Sequence, residues 1–461
     1  MTKPWLQLVI FLLLIPNILI ADSFNSASST INDKVTVSNN QALVAPEFVG
    51  MNSTTLSGID AIVRNGLNLQ VYPGCQVLVM KDGKIVYDKS FGKYTYETNQ
   101  KVEPTTMYDL ASLSKTTGTL LAVMKLYDSG KLKLTDKASK FLDFLKGTDK
   151  ENITIKDLLF HETGLPGSLS GYQLTIEKNN SNAALSNTGN DEQQFVKPAG
   201  NTYKYKPNFV SKFPLADYTF QVSDSIFMNK NFHELAMQKL AKTRLGSKTY
   251  LYSCVNFILL KEIAEVVSGK AMDEFLNNEF YNPMQLKRLT YLPLRVYKKE
   301  DIAPTLKKDF LRNGTIQGFV HDPDAAFLGG VAGNAGLFGT SHDVALVYQM
   351  LLNNGELDGK QYLSAETCKL FTTLTSTSGR RGLGFDKPNP ANPKSSPCCE
   401  SAPSSVYGHT GYTGTCCWVD PKNKLVYVFL SNRTYPNDGI NKLAKLGIRT
   451  KIQDIIYKSL K

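Results

Sequence analysis

The sequence predicts an α/β chain of the α+β kind: an antiparallel sheet flanked by terminal helices, with a mostly helical region inserted. Three observations carry this. Strand-like runs lie near both ends, at 75–80 and 85–91 and again at 407–419 and 425–430. Helical patterning brackets these runs, and a long helical middle separates them. Strands from the two ends must pair with each other, because two isolated hairpins would leave bare edges.

The chain has 461 residues, 42% hydrophobic and 20% charged, which excludes a wholly disordered protein. Lys3 precedes an apolar run from Trp5 to Ile20, broken only by Gln7, Pro16 and Asn17, and Ala21 and Ser23 follow. A basic start, an apolar core and a small-residue exit read as a secretory signal over residues 1–23. The run is also about long enough to anchor in a thin bilayer, but Pro16 and Asn17 near its end fit cleavage better. The mature protein is therefore expected in the periplasm or secreted, with no membrane attachment. Residues 24–45, rich in Ser, Asn and Thr, read as a disordered leader. One domain then covers 46–461, its α/β part at 46–110 and 325–461 and its helical part at 111–324.

Within that domain, Leu56, Ile59, Ile62 and Val63 form a helical stripe. Lys81-Asp82-Gly83-Lys84 is the turn of the first hairpin. Ala111 to Asp128 is a largely apolar helix ending at Gly130, as suits a buried central helix. Residues 168–248 are irregular and read as an excursion over one face. Phe257 to Val267 is a helix closed by Ser268-Gly269. A Gly-rich loop, Leu328 to Phe338, precedes a helix from Ser341 to Leu352. Asp420-Pro-Lys-Asn423 turns between the late strands, and a last helix runs from Lys442 to Tyr457.

Net charge is +11. Such a balance suits anionic polymers, yet the lysines are scattered, and no zinc-finger spacing or RNA-binding signature accompanies them, so no nucleic-acid partner is expected. The seven cysteines are Cys75, Cys254, Cys368, Cys398, Cys399, Cys416 and Cys417. Export permits disulfides, and the odd total leaves at least one cysteine over. The adjacent pairs lack the gap that zinc ligands use, so neither metal nor cofactor is expected.

Three short motifs could carry chemistry. Ser112-Leu-Ser-Lys115 puts a hydroxyl and an ammonium on one helix face, where the lysine can lower the serine's pKa or accept its proton. A serine before a helix is more often an N-cap, and Ser90 to Lys93 repeats the spacing on a strand end; only Ser112 opens an apolar helix. Tyr252-Ser253-Cys254 directly precedes the Phe257 helix, and a tyrosine near a lysine can serve as general base. His409-Thr410-Gly411 lies in a late strand, where Gly411 permits close backbone approach and Tyr412 could lend a second N–H to an oxyanion.

In this order and separation the motifs resemble the S-x-x-K, Y-x-N and K-T-G set of β-lactamases and penicillin-binding proteins. The class C β-lactamase-like branch is the nearer likeness, over about residues 46–461. Leu158–Pro166, Val320-His321-Asp322, Gly329–Phe338, Gly382–Phe385 and Leu430–Arg433 also look like the family's. The longer segments resemble esterase-like penicillin-binding proteins and the serine-hydrolase module fused to some peptidoglycan β-N-acetylglucosaminidases. The resemblance implies a β-lactamase/transpeptidase-like fold with Ser112 acylated, Lys115 as its proton partner and Tyr252 as base. It further implies an oxyanion hole from the backbone of Ser112 and Tyr412, and peptidoglycan fragments or small esters and amides as substrates.

Three departures bear on this. His409 stands for the motif's lysine, which should weaken carboxylate recognition and leave weak β-lactamase action at most. Cys254 replaces an amide; a free buried thiol or a disulfide to the 398–399 or 416–417 pairs is expected there. Asn334 stands where relatives often carry His. His321 is a further substrate-side candidate, while His161 reads as a structural histidine satisfied by backbone. The competing reading is a non-catalytic penicillin-binding-like module.

Overall fold

Alternation along one strand sets the layers of the molecule. The computed structural model describes residues 42–177, 204–377, 381–389 and 391–461. The expected signal segment, most of the expected leader and residues 178–203 of the excursion lie outside them. In β1 (Gly74–Lys81) the side chains of Cys75, Val77 and Val79 enter one apolar cluster, and those of Leu78 and Met80 enter another. The first cluster includes Ile59 and Val63 of the helix Gly58–Asn68 and Ile452 and Ile456 of the helix Ile448–Lys458. These are the terminal helices that the sequence places on the sheet. The second is the larger core, shared with Val344 and Val347 of the helix Ser341–Leu352 and with the helices beyond it.

β2 (Lys84–Gly92) returns from β1 through Asp82 and Gly83, whose φ of 50° and 74° are the left-handed pair that a tight hairpin demands. The C-terminal strands β3 (Tyr407–Gly411), β4 (Thr415–Asp420) and β5 (Leu425–Ser431) complete a five-stranded sheet of order β3-β4-β5-β1-β2. β1 and β5 pair antiparallel from Cys75 opposite Ser431 to Lys81 opposite Leu425. The two ends of the chain thus close one sheet, as the edge argument requires.

Four details differ from the sequence reading. The run 407–419 is two strands, because Gly411 and Gly414 (φ 102°) let the chain reverse between them. The helix expected from Ala111 begins as a 3₁₀ turn at Ala111–Leu113, continues as a π segment at Lys115–Thr119, and is α-helical at Leu120–Asp128. The last helix breaks at Gly447 (φ 58°). The helical middle also carries a small sheet, formed by Val210–Ser211, Tyr218–Ser223 and Ile226–Asn229. All seven cysteines are buried free thiols, so Cys254 forms no disulfide. Among the described residues, no helix is long and apolar enough to cross a membrane.

Candidate active site

Ser112 sits in a tight turn at the mouth of the central helix. Ala111 before it has φ 47°, a conformation that side chains other than glycine seldom adopt. Asp109 holds that turn: its Oδ1 accepts from the Ala111 N–H at 2.8 Å and its Oδ2 from the His321 N–H at 2.6 Å. Burial pushes the Asp109 carboxyl up to about 6 against those two bonds.

The three motif residues meet. Lys115 Nζ donates to Ser112 Oγ at 3.0 Å, and Tyr252 OH donates to the same oxygen at 3.0 Å. Lys115 is fully buried, and its remaining bonds go to the Asn334 carbonyl (2.9 Å) and Cys254 Sγ (3.5 Å). The Gly-rich loop exists to bring that carbonyl in. A Cβ on Gly333 would lie 1.8 Å from the Phe257 carbonyl oxygen, so only glycine lets the loop press onto the helix Cys254–Ser268. Burial works against the Lys115 ammonium, but charge on Cys254 or Tyr252 outweighs it and holds the pKa above the ordinary lysine value. Burial raises Tyr252, and Lys115 only partly offsets this. Burial likewise raises the Cys254 thiol.

The late strand is bolted to the nucleophile's turn. A Cβ on Gly411 would stand 2.0 Å from Thr415 Oγ1 and 2.5 Å from the Leu110 carbonyl oxygen. Thr415 Oγ1 donates to Leu110 O at 2.9 Å, and Thr413 Oγ1 donates to Asp109 O at 2.7 Å. His409, Thr410, Gly411 and Tyr412 thereby line one cavity of about 630 Å³ together with Ser112 and Tyr252. Cys254, Asn334 and His321 share that cavity. The His409 ring lies 5.8 Å from the Tyr252 ring, and its Nδ1 lies 2.6 Å from the Thr410 carbonyl. His321 stacks on Tyr412 at 5.3 Å with Nε2 3.9 Å from Asp438; burial lowers its pKa, opposed by Asp438.

His161 is a support for Tyr252. It is buried at the end of its helix with φ 58°, its ring 4.8 Å from that of Tyr252, and its Nδ1 accepts from the Ser253 N–H at 3.1 Å. Burial first, then the nearby Arg381, pushes its pKa well below the usual value. Sequence reasoning passed over Arg381, which lines the cavity with its guanidinium carbon 5.0 Å from the Tyr252 ring centre. The only signal was its place immediately before Gly382-Leu-Gly-Phe385. Among the described residues, no group of three or more His, Cys, Asp or Glu is placed to hold a metal ion.

The Beta-lactamase family model matches residues 59–448. The chain is 30% identical over 456 residues to the "Putative D-alanyl-D-alanine carboxypeptidase" of Escherichia coli (strain K12), covering 90% of this chain and 93% of the relative. It is 30% identical over 395 residues to the N-acetylmuramyl-L-alanine amidase of Bacillus subtilis (strain 168), covering 79% and 78%. Among solved structures, the D-alanine carboxypeptidase AmpC from Burkholderia cenocepacia matches with a TM-score of 0.59 at 17% identity, over 89% of this chain and 100% of that one. With the family model spanning most of its length and the fold in agreement, the chain belongs to the Beta-lactamase family of serine hydrolases.

Proposed function

We propose that the protein is an exported hydrolase that cleaves amide or ester bonds of cell-wall peptides through an acyl-enzyme at Ser112. The observation that carries this is the convergence of Lys115 Nζ and Tyr252 OH on Ser112 Oγ, each at 3.0 Å. Once the Tyr252–Lys115 pair has lost one proton to solvent, Ser112 Oγ attacks the carbonyl carbon of the substrate and its proton passes to that pair. That proton leaves on the departing amine or alcohol as the C–N or C–O bond breaks. Water then repeats the sequence on the acyl-enzyme and releases the acid. The backbone N–H groups of Ser112 and Tyr412 stabilise the oxyanion. β3 is an edge strand, so a peptide can lie along His409-Thr410-Gly411 as a further strand, with His321 and Cys254 on the walls around it.

Two relatives carry the names "Putative D-alanyl-D-alanine carboxypeptidase" and "N-acetylmuramyl-L-alanine amidase", which supports peptidoglycan fragments as the substrate class. The test is turnover of p-nitrophenyl butyrate and of defined peptidoglycan fragments, with products identified by mass. Cys254, a thiol 3.5 Å from Lys115 where the motif has an amide, favours the rival reading of a non-catalytic binding module. Absence of turnover by folded protein would establish that reading.

Two expectations accompany the proposal. Gly411→Ala pushes β3 off the Leu110–Ala111 turn and should lower kcat/KM for the ester by about 10²–10³, the usual cost of losing one oxyanion donor. Steady-state kinetics alongside a melting curve checks this; an unchanged rate would remove β3 from the mechanism. Export predicts that the mature protein starts near residue 24. Intact mass of material recovered outside the cytoplasm checks this, and a full-length mass would mean a retained anchor.

A further inference from the structure

Hydrolysis at Ser112 leaves a second nucleophile of the cavity unused. Cys254 stands where the family's motif has an amide, and it lines the same cavity as Ser112. Of the seven buried thiols, Cys254 at 8% and Cys399 at 7% are the most exposed; the others stand at 2% or less. The surroundings of these two differ. Lys115 Nζ lies 3.5 Å from Cys254 Sγ. Cys254 is also the first residue of a 15-residue helix, whose N-terminal partial charge favours a thiolate. Cys399 faces the Asp454 carboxylate instead, and burial together with that charge pushes its thiol up to about 12. Burial raises the Cys254 thiol too, but there the Lys115 ammonium opposes it.

The groups around the Cys254 sulfur suit an added oxygen. Asn334 is 1% exposed, its side chain reaches the Cys254 thiol, and its amide nitrogen donates to Asp322 Oδ1 at 3.2 Å. The Asn334 Oδ1 is buried and receives no donor. A buried amide oxygen without a donor is costly, and a thiol that gains an O–H group supplies one. On the other side stands Lys115, whose ammonium has three N–H bonds. They go to Ser112 Oγ, to the Asn334 carbonyl and, over the longest distance, to Cys254 Sγ. An oxygen bound to that sulfur accepts from an ammonium far better than the sulfur does.

We infer that Cys254 is a modification site for hydrogen peroxide, and that its oxidation switches the hydrolase off. The Cys254 sulfur, as thiolate, attacks one oxygen of peroxide. An S–O bond forms as the O–O bond breaks, and hydroxide departs as water with the thiol's proton. The sulfur is oxidised and the peroxide reduced by one electron pair, which leaves a sulfenic acid. Its hydroxyl donates to Asn334 Oδ1, and its oxygen accepts from Lys115. Lys115 then gives up its proton less readily, and Ser112 loses its proton acceptor. The small opening at Cys254 admits peroxide and excludes bulky disulfides. This rests on the hydrolase reading and adds regulation of the same site.

The experiment treats the purified protein with hydrogen peroxide, destroys the excess with catalase, and unfolds the protein in dimedone, which captures sulfenic acids. Peptide mass then locates the adduct. It should sit on Cys254, with Cys399 as the internal control. Capture at Cys399 equal to that at Cys254, or none at Cys254, overturns the inference. Before unfolding, peroxide should lower turnover of p-nitrophenyl butyrate by about 10²-fold or more, the scale of a disabled acid–base group. Dithiothreitol should restore it, its two thiols reducing the sulfenic acid to thiol and water as they form a disulfide. Cys254→Ala, compared with its own untreated rate, should keep that rate under peroxide; an equal loss in the variant overturns the switch. Should that variant fail to fold, Lys115→Met decides by labelling alone. With the ammonium gone, capture at Cys254 should slow by about tenfold, and an unchanged rate overturns the inference. With ester turnover and no adduct at Cys254, only the switch falls. With no turnover by untreated wild type the hydrolase reading falls, and the adduct alone then decides the modification site.

Discussion

Ser112→Ala is expected to lower ester and peptide hydrolysis by about 10⁴-fold or more, the scale seen when a nucleophile is deleted from a coupled catalytic group. The same change should abolish the single adduct that a fluorophosphonate forms with wild-type protein, read by intact mass. The substitution is clean. Ser112 is only half-buried, and Lys115 keeps its bonds to the Asn334 carbonyl and the Cys254 sulfur, so stability should move by no more than about 1 kcal/mol. Loss of activity therefore cannot be charged to unfolding. One competitor is built into the site: the Cys254 thiol lies beside the same ammonium. Residual turnover in Ser112→Ala that iodoacetamide removes would mean the thiol can stand in for the hydroxyl. An adduct that persists in the variant would place the reactive serine elsewhere, and no adduct on folded wild type would favour the binding-module reading.

The trio was legible because each member carries a local signal. Ser112 and Lys115 share a helix face by spacing alone, and Tyr252 stands at a helix start. Their meeting was not legible from spacing, since it depends on the helix Cys254–Ser268 packing against the central helix. β1 and β5 are short, nearly continuous apolar runs near the two chain ends, so their pairing could be argued from edges. The hairpin at Gly411–Gly414 was missed because strand-like residues lie on both sides of it; the reversal is encoded by two glycines whose need appears only when Thr415 and Leu110 crowd the first and Ser431 and Arg433 crowd the second. Gly333 and Asn334 show the same limit. The sequence marks a Gly-rich loop but cannot show that the Asn334 carbonyl, rather than its side chain, reaches Lys115. Arg381 is harder still. A single arginine beside a loop motif has no periodicity, and its meaning comes from burial over a tyrosine 129 residues earlier.

Lys115 and Tyr252 can be told apart by the sign of a pH shift. The Lys115–Tyr252 pair must give up a proton before it can accept that of Ser112, and both groups hold theirs above the ordinary value. For wild type, kcat/KM should climb with pH across about 6 to 9 without a plateau, as expected when the base's pKa lies above the working range. Lys115→Met keeps the buried volume and removes the charge. Rates should fall by about 10²–10⁴, the range for positioned acid–base groups. Burial already raises the Tyr252 phenol, and Lys115 is the first group opposing it, so the rise in the residual rate should move to higher pH. Tyr252→Phe should cost a similar factor with the opposite shift. There burial alone lowers the ammonium, and one of the neighbours holding its proton on has gone, so the rise should begin at lower pH. Rate profiles of the two variants on one ester, each paired with a melting curve, read both signs. Shifts in the same direction would mean that the two residues do not share one proton, and the paired-base mechanism would give way to one in which a single residue acts alone.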